Sequence, residues 1–167
     1  MTAALVSWLG ARAWRRLGSG AFLGAVLALG HAPLGWVWLA FPALVALLAL
    51  AGLAPTARQA AWTGWLAGTG YFAAGLNWIV EPFLVEPELY GWLAPFGLIG
   101  LSGGLALFWA LAFWAAQRTG GGALRLALAL ALVELARGYV LTGFPWALIG
   151  YIWTDTAAAQ LAAWTGP

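Results

Sequence analysis

Five apolar runs, each close to the length of a membrane-crossing helix and each poor in charge, constrain this chain more than any motif in it. A bilayer core about 30 Å thick takes roughly 20 residues of helix. The runs fall at about 13–30, 34–53, 60–80, 96–116 and 123–141, and a sixth segment begins near 151. With 64% hydrophobic residues, 7% charged and a mean hydropathy of +0.90, the chain cannot cover its apolar surface as a water-soluble domain would; such domains carry roughly 25% charged residues. The expected fold is all-α: a polytopic membrane bundle of about five to six transmembrane helices, forming one N-terminal transmembrane unit over residues 1–167. The last apolar stretch, about a dozen residues, is too short to cross, so the chain reads as a fragment ending in or near a sixth helix.

The breaks set the topology. Arg12, Arg15 and Arg16 precede the apolar stretch Leu17 to Leu29 of the first run, which reads as an uncleaved helix rather than a signal peptide because Pro33 would directly follow the small residues Gly30 and Ala32. His31, Ala32 and Pro33 break the chain, Pro42 is tolerable within the second span, and Pro55 with Arg58 mark the next loop. Arg118 and Arg125 flank the turn at Gly120 to Gly122. If spans alternate, these Arg share one side, and the positive-inside rule puts the N-terminus in the cytoplasm. The polar stretch Glu81 to Pro95, with Glu81, Glu86 and Glu88, then falls outside, as does the break at 142–146. Gly20 with Gly24, Gly64 with Gly68 and Gly100 with Gly104 stand four apart, a spacing that lets helices approach closely in lipid.

Absent residue types exclude chemistry. The chain has no Cys, so thiolate nucleophiles, disulfides and Cys-ligated metals are ruled out within it. All 7 basic residues are Arg, which removes lysine chemistry and gives no nucleic-acid footprint. His31 has no companions at ligand spacing, so no metal or other cofactor is expected.

The stretch Glu134 to Tyr151 sets charge and a helix break into membrane-grade sequence. Glu134 and Arg137, three apart, share a helix face and can pair. Counted from Arg125 they lie about 14 and 18 Å along the axis, past mid-membrane. Unpaired, each would cost at least roughly 2.5 kcal/mol there, so the pair serves either a site or the alignment of helix ends. Pro145 disfavours helix at Phe144, and Gly143 permits conformations barred to other residues. An outer-face loop or re-entrant break over 142–146 is expected, and backbone that is not helical at this depth must line a cavity or be covered by protein. Trp146 offers an indole donor and an apolar face suited to lipid. Asn77 and Trp78 close the third span, Asn77 as a cap or a headgroup contact, and Glu86 and Glu88 read as solvated loop carboxylates.

The run Glu134, Arg137, Gly138, Val140 through Trp146, Gly150 and Tyr151 closely resembles the E-x-x-R-G-x-V-L-T-G-F-P-W segment of bacterial apolipoprotein N-acyltransferases. Gly75, Asn77 and Trp78, and the order of spans, also fit. The resemblance implies a multi-pass inner-membrane enzyme that moves an acyl chain from a phospholipid to the N-terminal amine of a diacylglyceryl-cysteine lipoprotein. In that family the chemistry belongs to a periplasmic nitrilase-like domain using Glu, Lys and Cys. That domain is missing here, so the chain itself holds no catalytic residue and is expected to be inactive alone. Its substrate-binding residues would be Thr142, Gly143, Phe144, Pro145, Trp146, Arg137, Glu134, Asn77 and Trp78. Two alternatives stand beside this reading: a small transporter or channel subunit using Glu134 and Arg137, and a structural or lipid-binding remnant of a truncated gene.

Overall fold

The computed structural model describes residues 12–140 and 143–165. Thr142 therefore lies outside the described residues. The elements are helices: α1 (Ala13–Ala28), α2 (Val37–Ala51), α3 (Ala57–Gly75), α4 (Pro87–Tyr90), α5 (Ala94–Arg118), α6 (Ala123–Arg137) and α7 (Ala162–Thr165), with 3-10 turns at Asn77–Leu84, Gly91–Leu93, Ile149–Trp153 and Ala157–Leu161. Among the described residues there is no strand. The all-α expectation holds.

Small residues decide how the helices meet. α3 lies at the centre, packed most extensively against α5 on one side and α1 on the other. At the α1–α3 crossing a Cβ on Gly24 would collide with the Ala67 carbonyl, and one on Gly70 with the Ala21 carbonyl. At the α3–α5 crossing a Cβ on Gly64 would stand 2.6 Å from the Phe113 ring, and one on Gly68 3.0 Å from Ala106. Only a bare Cα allows these approaches. Gly100 and Gly104 behave otherwise: nothing described lies within 4 Å of a Cβ at either, so the third expected pair is not a packing pair.

α6 turns leucine outward and charge inward. Leu126, Leu130, Val133 and Arg137 are buried, whereas Leu124, Leu128, Leu132 and Leu135 are exposed at 73, 58, 67 and 60%. Its outward stripe is thus leucine and its inward stripe carries the charge, the reverse of a helix on a water-facing surface.

The helix ends correct the sequence-based boundaries. The third span was expected to run to Val80, but α3 stops at Gly75 and the chain tightens into 3-10 turns. Pro82 has no amide hydrogen to extend an α-helix there. The stretch Glu81 to Pro95 is consequently short helical turns rather than open loop. α6 ends at Arg137, four residues before the expected 141, where Gly138 takes the C-cap. In place of one sixth helix from 151 stand two 3-10 turns and the four-residue α7.

Among the described residues, one helical stretch of 32 residues, Pro87–Arg118, is long and apolar enough by itself to cross a bilayer, with an 18-residue segment of mean hydropathy 1.9. The count of five to six spans is not reproduced by helix length alone. α1, α2 and α6 have 16, 15 and 15 residues, and the 19 residues of α3 include Arg58, Gln59 and Thr63.

Charge is nonetheless sorted between the two ends of the bundle. Arg16 of α1 donates to Thr63 Oγ1 at 3.2 Å and Gln59 Oε1 at 2.5 Å near the start of α3. Gln117, near the end of α5, donates to the Ala54 carbonyl at 2.9 Å. These bonds gather the starts of α1 and α3 with the end of α5, and with them Arg12, Arg15, Arg16, Arg58, Arg118 and Arg125. The opposite end holds Glu81, Glu86, Glu88, Glu134 and Asp155, with Arg137 as its one basic residue.

Candidate functional site

The break after α6 is held in shape by the pair that precedes it. Arg137 is 1% exposed and its Nη2 meets Glu134 Oε2 at 2.9 Å. The same guanidinium donates from Nη1 to the carbonyls of Phe144 and Trp146, both at 2.7 Å, and from Nη2 to that of Ala147 at 3.3 Å. Glu134 Oε2 also accepts the Ile149 amide at 3.2 Å, and Oε1 accepts the Trp109 indole N–H at 3.1 Å. A planar fork with several donors is suited to this multiple grip, and charge-assisted bonds are the strong ones. The Arg137 Nε has no acceptor, but the guanidinium lies 4.9 Å from the centroid of the Phe72 ring, an arrangement in which the π-face attracts the cation.

The clamp supports a backbone that would not hold itself. Gly143 has φ +76° and donates to the Val140 carbonyl at 3.0 Å; a Cβ there would collide with the Gly138 carbonyl. Ala147 has φ +50°, a conformation that costs a non-glycine residue about 1 kcal/mol or more. The bond from Arg137 to its carbonyl helps to offset that cost.

The result is an aromatic face. Trp146, 55% exposed, has its ring centroid 5.2 Å from that of Trp78 and 6.4 Å from that of Phe144. Trp78 and Trp146 line a cavity of about 350 Å³ together with His31, Tyr151, Thr154 and Asp155. His31 Nε2 lies 2.6 Å from the Tyr71 hydroxyl, and Tyr71 stacks on Trp109 at 4.9 Å. Burial lowers the His31 pKa from its ordinary value, favouring the neutral imidazole. A continuous run of contacts thus joins the cavity, through Tyr71 and Trp109, to Glu134.

A second, larger concavity of about 1010 Å³ runs between α2 and α6. Leu44, Leu48, Leu128, Leu132 and Leu135 form much of its wall, and Glu134, Tyr139 and Pro145 also line it. Tyr151 lines both spaces.

A family model described as "Apolipoprotein N-acyltransferase N-terminal domain" matches residues 23–167. The chain belongs to this family. It is 41% identical over 162 residues to an apolipoprotein N-acyltransferase of Caulobacter vibrioides, covering 93% of this chain and 31% of that protein. It is 38% identical over 151 residues to that of Allorhizobium ampelinum, covering 83% of this chain and 29% of the relative, and 37% identical over 154 residues to that of Ralstonia nicotianae, covering 87% and 29%. The chain therefore spans about a third of the length of the relatives it matches.

Within this apolipoprotein N-acyltransferase N-terminal domain, the residues expected to act together divide into two groups. Gly143, Phe144, Pro145, Trp146, Arg137 and Glu134 come together around the clamped loop, and Trp78 joins them across the Trp146 ring. Asn77 does not join: it is exposed and is not among the cavity-lining residues, and of the two roles expected of it, cap or headgroup contact, the C-cap position of α3 belongs to Leu76 instead. Glu86 and Glu88 are exposed, as expected, and so is Glu81. Sequence reasoning passed over Tyr71, Trp109 and Asp155, took Tyr151 only as the end of the family-like segment, and considered His31 only as part of a chain break and as a metal ligand. Among the described residues no cluster of His, Cys, Asp or Glu has the makings of a metal site.

Proposed function

We propose that residues 1–167 form the N-terminal transmembrane domain of an apolipoprotein N-acyltransferase, a multi-pass protein of the bacterial inner membrane with a cytoplasmic N-terminus, and that the end of the bundle around Trp146 binds and orients lipid. The acyl donor is a phospholipid and the acceptor a diacylglyceryl-cysteine lipoprotein, with transfer carried out by a C-terminal nitrilase-like domain outside these residues. The absence of Cys and Lys accords with chemistry done elsewhere in the whole protein.

The observation that carries this reading is the clamp: Arg137 bonds the carbonyls of both Phe144 and Trp146, presenting an aromatic face beside a cavity at the acidic end of the bundle. Three further features support it. The exposed leucine stripe of α6 suits contact with acyl chains rather than water. Six Arg at one end accord with the positive-inside pattern, which supports a clamped loop on the outer side. An apolar groove and a more polar cavity share Tyr151, so a molecule with a headgroup and a tail can use both. Short helices such as α6 cross with help from the irregular segments at their ends, where aromatic residues sit at headgroup level.

Polar transport by Glu134 and Arg137 is less well supported. Their charged groups are engaged with one another and with the loop backbone, and Arg137 is buried.

The test is Trp146→Ala in the full-length enzyme. Acyl transfer to a diacylglyceryl peptide should fall at least about tenfold, while expression and membrane insertion stay near wild type because Trp146 is more than half exposed. Unchanged acyl transfer would remove the lipid-site role.

A further inference from the structure

The cavity beside Trp146 has a chemistry that the lipid-holding role does not by itself require. Three of its lining residues, Trp78, Trp146 and Tyr151, are aromatic, and Asp155 is its one carboxylate. No Arg is among the residues that line it. Asp155 is exposed, with Oδ2 3.7 Å from where a Cβ on Gly35 would stand, so it sits against the loop that carries His31. No salt bridge occupies it among the described residues.

We propose that this cavity is an ammonium site, in which Asp155 supplies the counter-charge and Trp78, Trp146 and Tyr151 the aromatic walls. π-Faces attract cations electrostatically, most strongly where water is partly excluded. A carboxylate beside such faces selects a cation over a neutral or anionic group. The neutral imidazole favoured at His31 adds no opposing positive charge. The cavity, at about 350 Å³, admits a small amine headgroup and the start of its linker but not a folded peptide.

The proposal deepens the lipid-holding reading and rests on it. Two sources share the ammonium chemistry: an ethanolamine headgroup on the acyl donor, and the free α-amine of the acceptor. The closing experiment separates them in the full-length protein in detergent, by native mass spectrometry. The probes are dihexanoyl-phosphatidylethanolamine, dihexanoyl-phosphatidylglycerol, and a diacylglyceryl-cysteinyl peptide with its amine either free or acetylated.

Asp155→Asn keeps the shape of the side chain and removes its charge. It should weaken the ethanolamine lipid, or the free-amine peptide, by about tenfold. The glycerol lipid and the acetylated peptide should bind as to wild type. Loss confined to the lipid identifies the donor headgroup, and loss confined to the peptide identifies the acceptor. If Asp155→Asn leaves both amine ligands unchanged while phospholipids still bind, the ammonium site is wrong and the lipid-holding role survives. If the wild-type protein binds none of the phospholipids, the lipid-holding role and the site that rests on it both fall.

Discussion

The Arg137 guanidinium donates to the Trp146 carbonyl at 2.7 Å, nine residues along the chain, while its own side chain stays buried. A buried charged group thus works as an internal brace, fixing the direction in which an exposed indole points. Its partner Glu134 braces the far side of the same loop through the Ile149 amide. The two charged groups bond to loop backbone that lies beyond the end of α6 at Arg137 and so has no helical partners of its own.

Replacing that brace should loosen the loop. Arg137→Lys keeps the charge but cannot grip Glu134 and three carbonyls with a planar fork. We expect a loss of about 2 kcal/mol in stability, seen as a lower thermal midpoint for the purified full-length protein. Arg137→Leu, which leaves Glu134 without its ionic partner, should cost more, about 3–5 kcal/mol. Equal midpoints for wild type and both variants would show that the bonds to the loop carry no stabilisation.

Helix crossings give a contrasting pair of glycine substitutions. Gly24→Ala must push α1 away from the Ala67 carbonyl, and a loss of at least about 1–3 kcal/mol should follow. Gly100→Ala meets nothing within 4 Å and replaces a poor helix former, so it should be neutral or stabilising by up to about 1 kcal/mol. Thermal unfolding in one detergent distinguishes them, and a reversed order would contradict the packing described.

Acid should destabilise the protein in part through His31. Its pKa is lowered in the folded state by burial, so the unfolded chain binds the proton more readily. The stabilising contribution of the neutral imidazole is present above the unfolded value of about 6.5 and is lost as the pH falls below it. His31→Gln should therefore show a smaller drop in thermal midpoint between pH 7 and pH 5 than the wild type. An identical drop in both proteins would remove His31 from the effect.

How much of this was legible in the sequence depended on whether the signal was local. The spacing of Glu134 and Arg137 and the run from Gly143 to Trp146 were readable because helix periodicity and proline chemistry act over a few residues. The all-α class followed from apolar runs. The destination of the Arg137 donors was not readable, since carbonyls exist at every position and only the folded loop selects those of Phe144, Trp146 and Ala147. Tyr71 and Trp109 were hidden for another reason: in apolar helices an aromatic residue looks the same whether it is core or a link to Glu134. Gly100 and Gly104 show the opposite failure, a spacing that promised packing and found no neighbour.

The central claim, that the clamped loop presents Trp146 to lipid, is tested most directly by photolabelling. The full-length protein would be reconstituted with phospholipid bearing a photoreactive group near its headgroup, and labelled peptides mapped by mass spectrometry. The account predicts labelling concentrated on segments containing Trp78, Trp146 and Tyr151, falling at least about fivefold in Arg137→Lys as the loop loses its brace. Labelling confined to the outward surface of α5, unchanged in that variant, would contradict it.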